Sequence, residues 1–176
     1  WININVTTGP NRCIACVFSE NSFWLLQIDG SEVSFQYNEY LTDTINLDLN
    51  KWYHIVAVKN NDQSNIKLFV NAQNGTTVNN VNNGFIKSDS TLFIGSRNYF
   101  DSNRFFFGLI DEVRFYSRAL NISEIIWDFQ GFEEPYNRTN LTGMWHFNEG
   151  SGQILFDSSD EDNNGILGSE LHLDKN

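Results

Sequence analysis

Acidic side chains are the groups in this chain best placed to do chemistry. Asp111 lies in the run 109–115, where β alternation sets Leu109, Asp111, Val113 and Phe115 on one face and Ile110, Glu112 and Arg114 on the other. An aspartate on an apolar face is partly buried and must have a partner, either a cation or the backbone amides of a loop. A second set of oxygen donors, including Asp157, Asp160 and Asp162, crowds the loop 157–165. Its spacing is not that of an EF-hand, whose acids alternate toward a bidentate glutamate. The run reads either as a solvated acidic turn or as a Ca²⁺ site shared with Asp111.

Aromatic and polar groups alternate through 98–107. Sugars stack on aromatic rings and hydrogen-bond to Asn, Asp and Arg, so Tyr99, Asp101 and Arg104 are candidate ligand contacts. The other reading is a strand and loop packing Phe into the core. His54, His146 and His172 have no Ser or Cys arrangement that would make a triad. Cys13 and Cys16 form one C-x-x-C without the second pair that zinc needs. Run 12–18 reads as a strand, on which positions i and i+3 face opposite sides, so two unpaired or separately paired thiols are expected.

The charge of −11, from 22 acids and 11 bases, disfavours nucleic acid and anionic membrane surfaces as partners. Bound Ca²⁺ would offset part of it. No apolar run reaches membrane-spanning length, so membrane insertion is not expected. The chain opens on Trp1 with no signal peptide, as a mature or excised segment would. Five N-x-[ST] sequons occur, at Asn5, Asn74, Asn121, Asn137 and Asn140, against about three expected by chance at this Asn and Ser/Thr content. Glycans are expected at Asn74, Asn137 and Asn140, with Asn5 in a strand-like segment. Asn121 is expected to be bare because it caps a helix.

These residues need a scaffold, and the scaffold reads as β. Aromatics make up 15% of the chain, with 15 Phe and 5 Trp, and such residues favour strands. Strand-like runs cover 1–7, 13–18, 23–28, 32–37, 52–59, 66–70, 91–94 and 109–116, separated by turn-rich clusters. Asp29-Gly30 marks a hairpin. Run 52–58 is apolar on both faces, as in a central strand buried from two sides. Stretch 73–84 reads as a mobile loop or an edge hairpin. One helix is expected over 122–129, with Ile122, Ile125, Ile126 and Phe129 on its apolar face and Asn121 with Glu124 forming a capping box.

Three segments resemble the laminin-G-like, pentraxin-like members of the concanavalin A-like jelly-roll lectins. They are Lys51-Trp52-Tyr53-His54-Ile55-Val56-Ala57-Val58, then Gly108-Leu109-Ile110-Asp111-Glu112-Val113-Arg114-Phe115-Tyr116-Ser117-Arg118-Ala119-Leu120, then Phe147-Asn148-Glu149-Gly150-Ser151-Gly152 with its Asp157-Ser158-Ser159 sequel. The resemblance implies a two-sheet antiparallel jelly-roll sandwich with one short helix. It also implies a non-catalytic extracellular module for adhesion or carbohydrate recognition, and Ca²⁺ near Asp111, as in some relatives. The same fold hosts glycoside hydrolases, so a hydrolase, or the accessory carbohydrate-binding domain of a secreted enzyme, is the alternative. The E-x-D-x-x-E pattern of its retaining hydrolases is not found here.

The family's opening Glu-Gly-Ser-Gly strand stands last in this chain. The expected organisation is therefore a body over 1–132, a linker over 133–143 and an opening-strand region over 144–176. That region belongs to the next repeat, to a permuted fold or to a strand exchange with a neighbour. Glycans, extracellular proteins and copies of the chain joined through 144–176 in a head-to-tail array are the expected partners.

Overall fold

The computed structural model describes residues 1–6, 11–18, 23–82, 90–97 and 104–168. In chain order its strands are β1 (Ile2–Ile4), β2 (Arg12–Phe18), β3 (Phe23–Asp29), β4 (Glu32–Tyr37), β5 (Tyr40–Leu41), β6 (Ile45–Asn46), β7 (Trp52–Tyr53) and β8 (Ile55–Asn60). There follow β9 (Asn65–Val70), β10 (Gln73–Asn79), β11 (Leu92–Ile94), β12 (Gly108–Ile110) and β13 (Val113–Tyr116). The helix α1 (Ile122–Phe129) precedes β14 (Leu141–Trp145), β15 (Ile154–Leu155) and β16 (Gly165–Ile166). Every pairing among them is antiparallel, and the fold is an all-β sandwich of the jelly-roll kind.

The larger sheet runs β11-β2-β3-β4-β5, with β6 also on β4. Its inner face carries Ile14, Leu26, Ile28, Val33 and Phe35. Opposite lie β10-β9-β8 and β12-β1-β7, which bring Ile66, Leu68, Ile2 and Ile4 into the same core. Each such side chain, fully buried, contributes about 1.5–3 kcal/mol. The hairpin at Asp29-Gly30 forms as its dipeptide predicts, with Gly30 at φ +61° in the turn between β3 and β4. At Gly108 a Cβ would overlap the Asn3 carbonyl, so only glycine lets β12 lie this close to β1.

Run 52–58 is not one central strand. It breaks at His54, where Trp52 and Tyr53 pair with β1 while Ile55 onward pairs with β9. β8 is thus an edge strand, although both its faces are covered. Ile55 and Ala57 pack on the main core, whereas Val56 and Val58 meet Phe69, Ile125 and Leu120 beneath α1. The helix supplies the second layer that a central position would otherwise have explained.

Cys13 and Cys16 are joined in a disulfide, contrary to the expectation from strand alternation. The register of β2 against β3 slips between Cys13 and Ala15. This bulge absorbs one residue, so Cys13 and Cys16 emerge on the same face. They pack there with Leu25, while Ile14 turns to the main core.

Helix α1 matches its expected bounds, and its capping box is complete. Asn121 Oδ1 accepts from the amides of Ser123 and Glu124 at 2.9 and 3.1 Å, and Glu124 Oε2 accepts from Asn121 N at 2.9 Å. Replacing such a cap with Ala costs about 1 kcal/mol. The buried face differs from the apolar stripe, however. It is formed by Glu124, Ile125 and Asp128, whereas Ile122, Ile126 and Phe129 are exposed. The ion-paired acids Glu124 and Asp128 share the inner face with Ile125.

Alternation through 109–116 also fails. β12 ends at Ile110 and β13 begins at Val113, with Glu112 at φ +49° between them. The chain changes sheet there, since β12 pairs with β1 and β13 with β14. Of the two readings of stretch 73–84, the edge hairpin is the one that forms over 73–79, where β10 pairs back on β9. β14 pairs with β13 of the same chain, Val113 opposite Trp145 and Phe115 opposite Gly143, so this part of the tail packs on its own body. Among the described residues no helix is long and apolar enough to cross a membrane.

Candidate functional site

A cleft of about 2100 Å³ opens between the larger sheet and the strands β8 and β13. Trp24, Phe35 and Phe93 line one wall, and Phe115, Tyr116 and Trp145 the other. Trp24 and Phe115 stack across it with ring centroids 5.7 Å apart. Each of β8, β11 and β13 has a β partner on one edge only among the described residues, and all three line the cleft.

The polar centre of this wall is Arg114, whose side chain is buried. Its Nη1 donates to Asp128 Oδ1 at 2.6 Å, and its Nη2 donates to the carbonyls of Phe132 and Glu133 at 2.8 and 2.5 Å. Glu112 lies 3.8 Å from the same guanidinium. One side chain on β13 thereby holds α1 and the chain that leaves it. Burial pushes the Asp128 carboxyl above its ordinary range, and the adjacent Arg114 only partly offsets this. Arg114 Nε is buried with no hydrogen-bond partner among the described residues, as is Nδ1 of His54, which also lines the cleft. Burial first, then the positive charges of the Trp1 amino group and Arg114, lowers the His54 pKa to about 3. The imidazole is therefore neutral at ordinary pH, packed beside Trp1 and Phe129 at 5.2 and 6.0 Å.

Two further pairs brace this region. His146 Nδ1 lies 2.8 and 2.9 Å from the two carboxylate oxygens of Glu112. A carboxylate here accepts, so Nδ1 carries the proton. Arg118 grips Glu124 through both nitrogens at 2.9 and 2.6 Å and donates from Nε to Thr139 O at 2.8 Å. Arg118 holds the Glu124 carboxyl below its ordinary range, against the opposing effect of burial.

Asp111 and the acids of the loop 157–162 are held in separate hydrogen-bond sets. Asp111 exchanges main-chain hydrogen bonds with Trp1 at 2.8 and 3.0 Å, and its Oδ1 accepts from Glu112 N at 3.0 Å. It pins the sheet change through backbone amides. Both oxygens of Asp157 are occupied by donors: Met144 N and Ser159 N on Oδ1, and Ser159 Oγ and Asn163 N on Oδ2. Burial raises the Asp157 pKa, but these donors outweigh it and the net shift is downward. Asp160 lies 3.7 Å from Arg138, and Asp162 is exposed at φ +53°. Among the described residues no three His, Cys, Asp or Glu are gathered to hold a metal ion. Tyr99 and Asp101 lie outside the described residues. Arg104 Nη1 donates to Asn11 O at 3.4 Å.

Asn5, Asn74, Asn137 and Asn140 are all exposed. The residues that sequence reasoning passed over are Arg114, Asp128 and the rings Trp127, Phe132 and Tyr136. Glu124 and Asp128, four apart on a capped helix, were the available sign of a buried acidic face.

A family model described as the concanavalin A-like lectin/glucanases superfamily matches residues 1–126. The chain belongs to this superfamily. No curated protein matches the sequence. Among solved structures, a "putative carbohydrate binding protein" from Bacteroides ovatus ATCC 8483 aligns with TM-score 0.72 at 17% identity. That alignment covers 96% of this chain and 52% of the other, so this chain spans about half the neighbour's length. An S-layer domain-containing protein from Clostridium thermocellum ATCC 27405 aligns with TM-score 0.32 at 22% identity, over 72% of this chain and 66% of that one. The superfamily name joins lectins to glucanases, and a glucanase needs two carboxyl groups free to act as acid and as nucleophile or base. On the cleft wall Glu112 is engaged by His146 and Asp128 by Arg114.

The Arg118–Glu124 pair generates a signed pH dependence. A carboxyl with a depressed folded-state pKa stabilises above its unfolded value, near ~4.3 for Glu, and this stabilisation is lost as pH falls through the folded value. Glu124→Gln keeps the cap geometry but loses the charge. In urea unfolding the gap between wild type and Glu124→Gln is expected to be full at neutral pH and to close under acid. A gap that widens under acid contradicts the assignment.

Proposed function

We propose that this protein is a non-catalytic carbohydrate-recognition module of the extracellular space or cell surface, acting in adhesion. The observation that carries the reading is a lectin-type sandwich with an open, aromatic-lined cleft, on whose wall Glu112 and Asp128 are each held by a basic side chain. The carbohydrate-binding description of the B. ovatus neighbour supports the ligand class. A glycan array is expected to return binding, and the bound polysaccharide should release no new reducing ends on long incubation. Hydrolysis of any hit would favour the glycoside hydrolase alternative.

Extracellular life is supported by exposed sequons at Asn74, Asn137 and Asn140, with Asn5 also exposed. Asn121 has its Oδ1 committed to two amides of the helix. Glycopeptide mapping of protein from its native source is expected to find Asn74, Asn137 and Asn140 occupied and Asn121 bare. Bare asparagines at Asn74, Asn137 and Asn140 together contradict secretion through a glycosylating pathway.

A second reading, assembly with neighbouring copies, is favoured by β8, β11 and β13, which line the cleft and are paired on one edge only among the described residues. At about 2100 Å³ the cleft exceeds the roughly 300–1,000 Å³ of small-molecule pockets, and unpaired edges accept added strands. Because β14 packs on its own body, the strand would come from elsewhere in the neighbour. Light scattering should then show association that grows with concentration, and hydrogen exchange at Ile55–Asn60 should slow with it. A monomer whose β8 amides exchange alike at every concentration rules this out.

A further inference from the structure

Phe132 and Glu133 stand on the wall of the cleft, just past the end of α1. There Trp127 and Phe132 stack at 3.9 Å between centroids with planes 23° apart, and Tyr136 meets Trp127 edge-on at 5.6 Å and 68°. The three rings form an open corner. Tyr136 is 60% exposed and Phe132 44%, although both belong to a segment held rigidly in place. Arg114 fixes the carbonyls of Phe132 and Glu133, and Trp127 Nε1 donates to Glu134 O at 2.9 Å. Glu134 is paired with Arg138 at 3.0 Å, and Arg138 is anchored on Ser158 O at 2.6 Å.

Exposed rings are usually left mobile or are covered, and here they are neither. Rigid aromatic surface presented to solvent lowers the entropy lost when a ligand settles on it. The exposed surface of Phe132 and Tyr136 suits a sugar ring, whose C–H face packs on an aromatic plane while its hydroxyls reach nearby charged groups. Glu134 offers acceptors and Arg138 offers donors beside the corner. Glu133, Glu134 and a chain charge of −11 disfavour an anionic sugar.

We propose that Trp127, Phe132 and Tyr136 form a stacking subsite for a neutral pyranose at the rim of the cleft, with Glu134 and Arg138 bonding its hydroxyls. The subsite rests on the carbohydrate-recognition reading and locates it on the chain.

The test is an array of neutral and of sulfated or sialylated glycans, followed by calorimetry of the strongest hit with the full chain. Tyr136→Ala and Phe132→Ala remove exposed rings, and melting curves check that the fold persists. The expected strongest hit is neutral, and each variant should weaken it by about tenfold or more, as loss of an aromatic anchor does. Undiminished binding in both folded variants overturns the subsite while leaving carbohydrate recognition in place. A sulfated or sialylated strongest hit overturns the ligand class. An array without hits overturns the recognition reading and the subsite together.

Discussion

A buried guanidinium holds this molecule's working face together. Arg114 leaves β13 and meets Asp128 of α1 and the carbonyls of residues 132 and 133, while Glu112 stands 3.8 Å away. Removing an Arg and an Asp from water is expensive, and the elevated pKa of Asp128 records that cost on the acid side. Good geometry and added hydrogen bonds offset it, and the fork shape of Arg supplies both at once. The direction in which the chain leaves the helix follows from this one contact, and with it the positions of Phe132 and Tyr136.

Around that hub the fold is organised by changes of sheet. At Asp111–Glu112 and again at His54 the chain passes from one pairing partner to another, and both places carry hydrogen bonds that fix the turn. Asp111 Oδ1 accepts from the next amide, and the His54 amide donates to Asn71 Oδ1 at 2.9 Å. Each change of sheet leaves a strand paired on one edge only among the described residues, β13 in the first case and β8 in the second. The cleft between them follows from how the strands are shared out. The acidic loop after β14 serves the same architecture, since Asp157 gathers four donors and so closes the loop on itself.

Much of this was legible in the residues. Local signals acted where they should: Asn121 and Glu124 began the helix, Asp29-Gly30 turned the hairpin, and neighbouring runs paired from β2 through β4 and again from β8 to β9. The motif around Asp111 indicated the lectin-type sandwich that the family match bears out. What was hidden depends on pairing between distant strands. Alternation assumes an unbroken strand, and the bulge beside Ile14 and the break at Asp111–Glu112 each shift the faces by one residue. The cysteines and Asp111 were misplaced for that reason. The apolar stripe of α1 misled because periodicity counts hydrophobic residues and cannot see that Arg114 and Arg118 approach from other segments to claim the inner face. The aromatic corner was invisible for a related reason, since Trp127 and Tyr136 meet only once Arg114 has folded the segment between them.

The dependence on Arg114 can be measured directly with a double-mutant cycle of Arg114→Met and Asp128→Asn, followed by urea unfolding. Each single change strands the other group in a buried site, so the two losses should sum to more than the loss in the double variant, by about 1–3 kcal/mol. Losses that simply add, within about 0.5 kcal/mol, would show that the pair does not act as a unit and would remove the hub from which the working face is built.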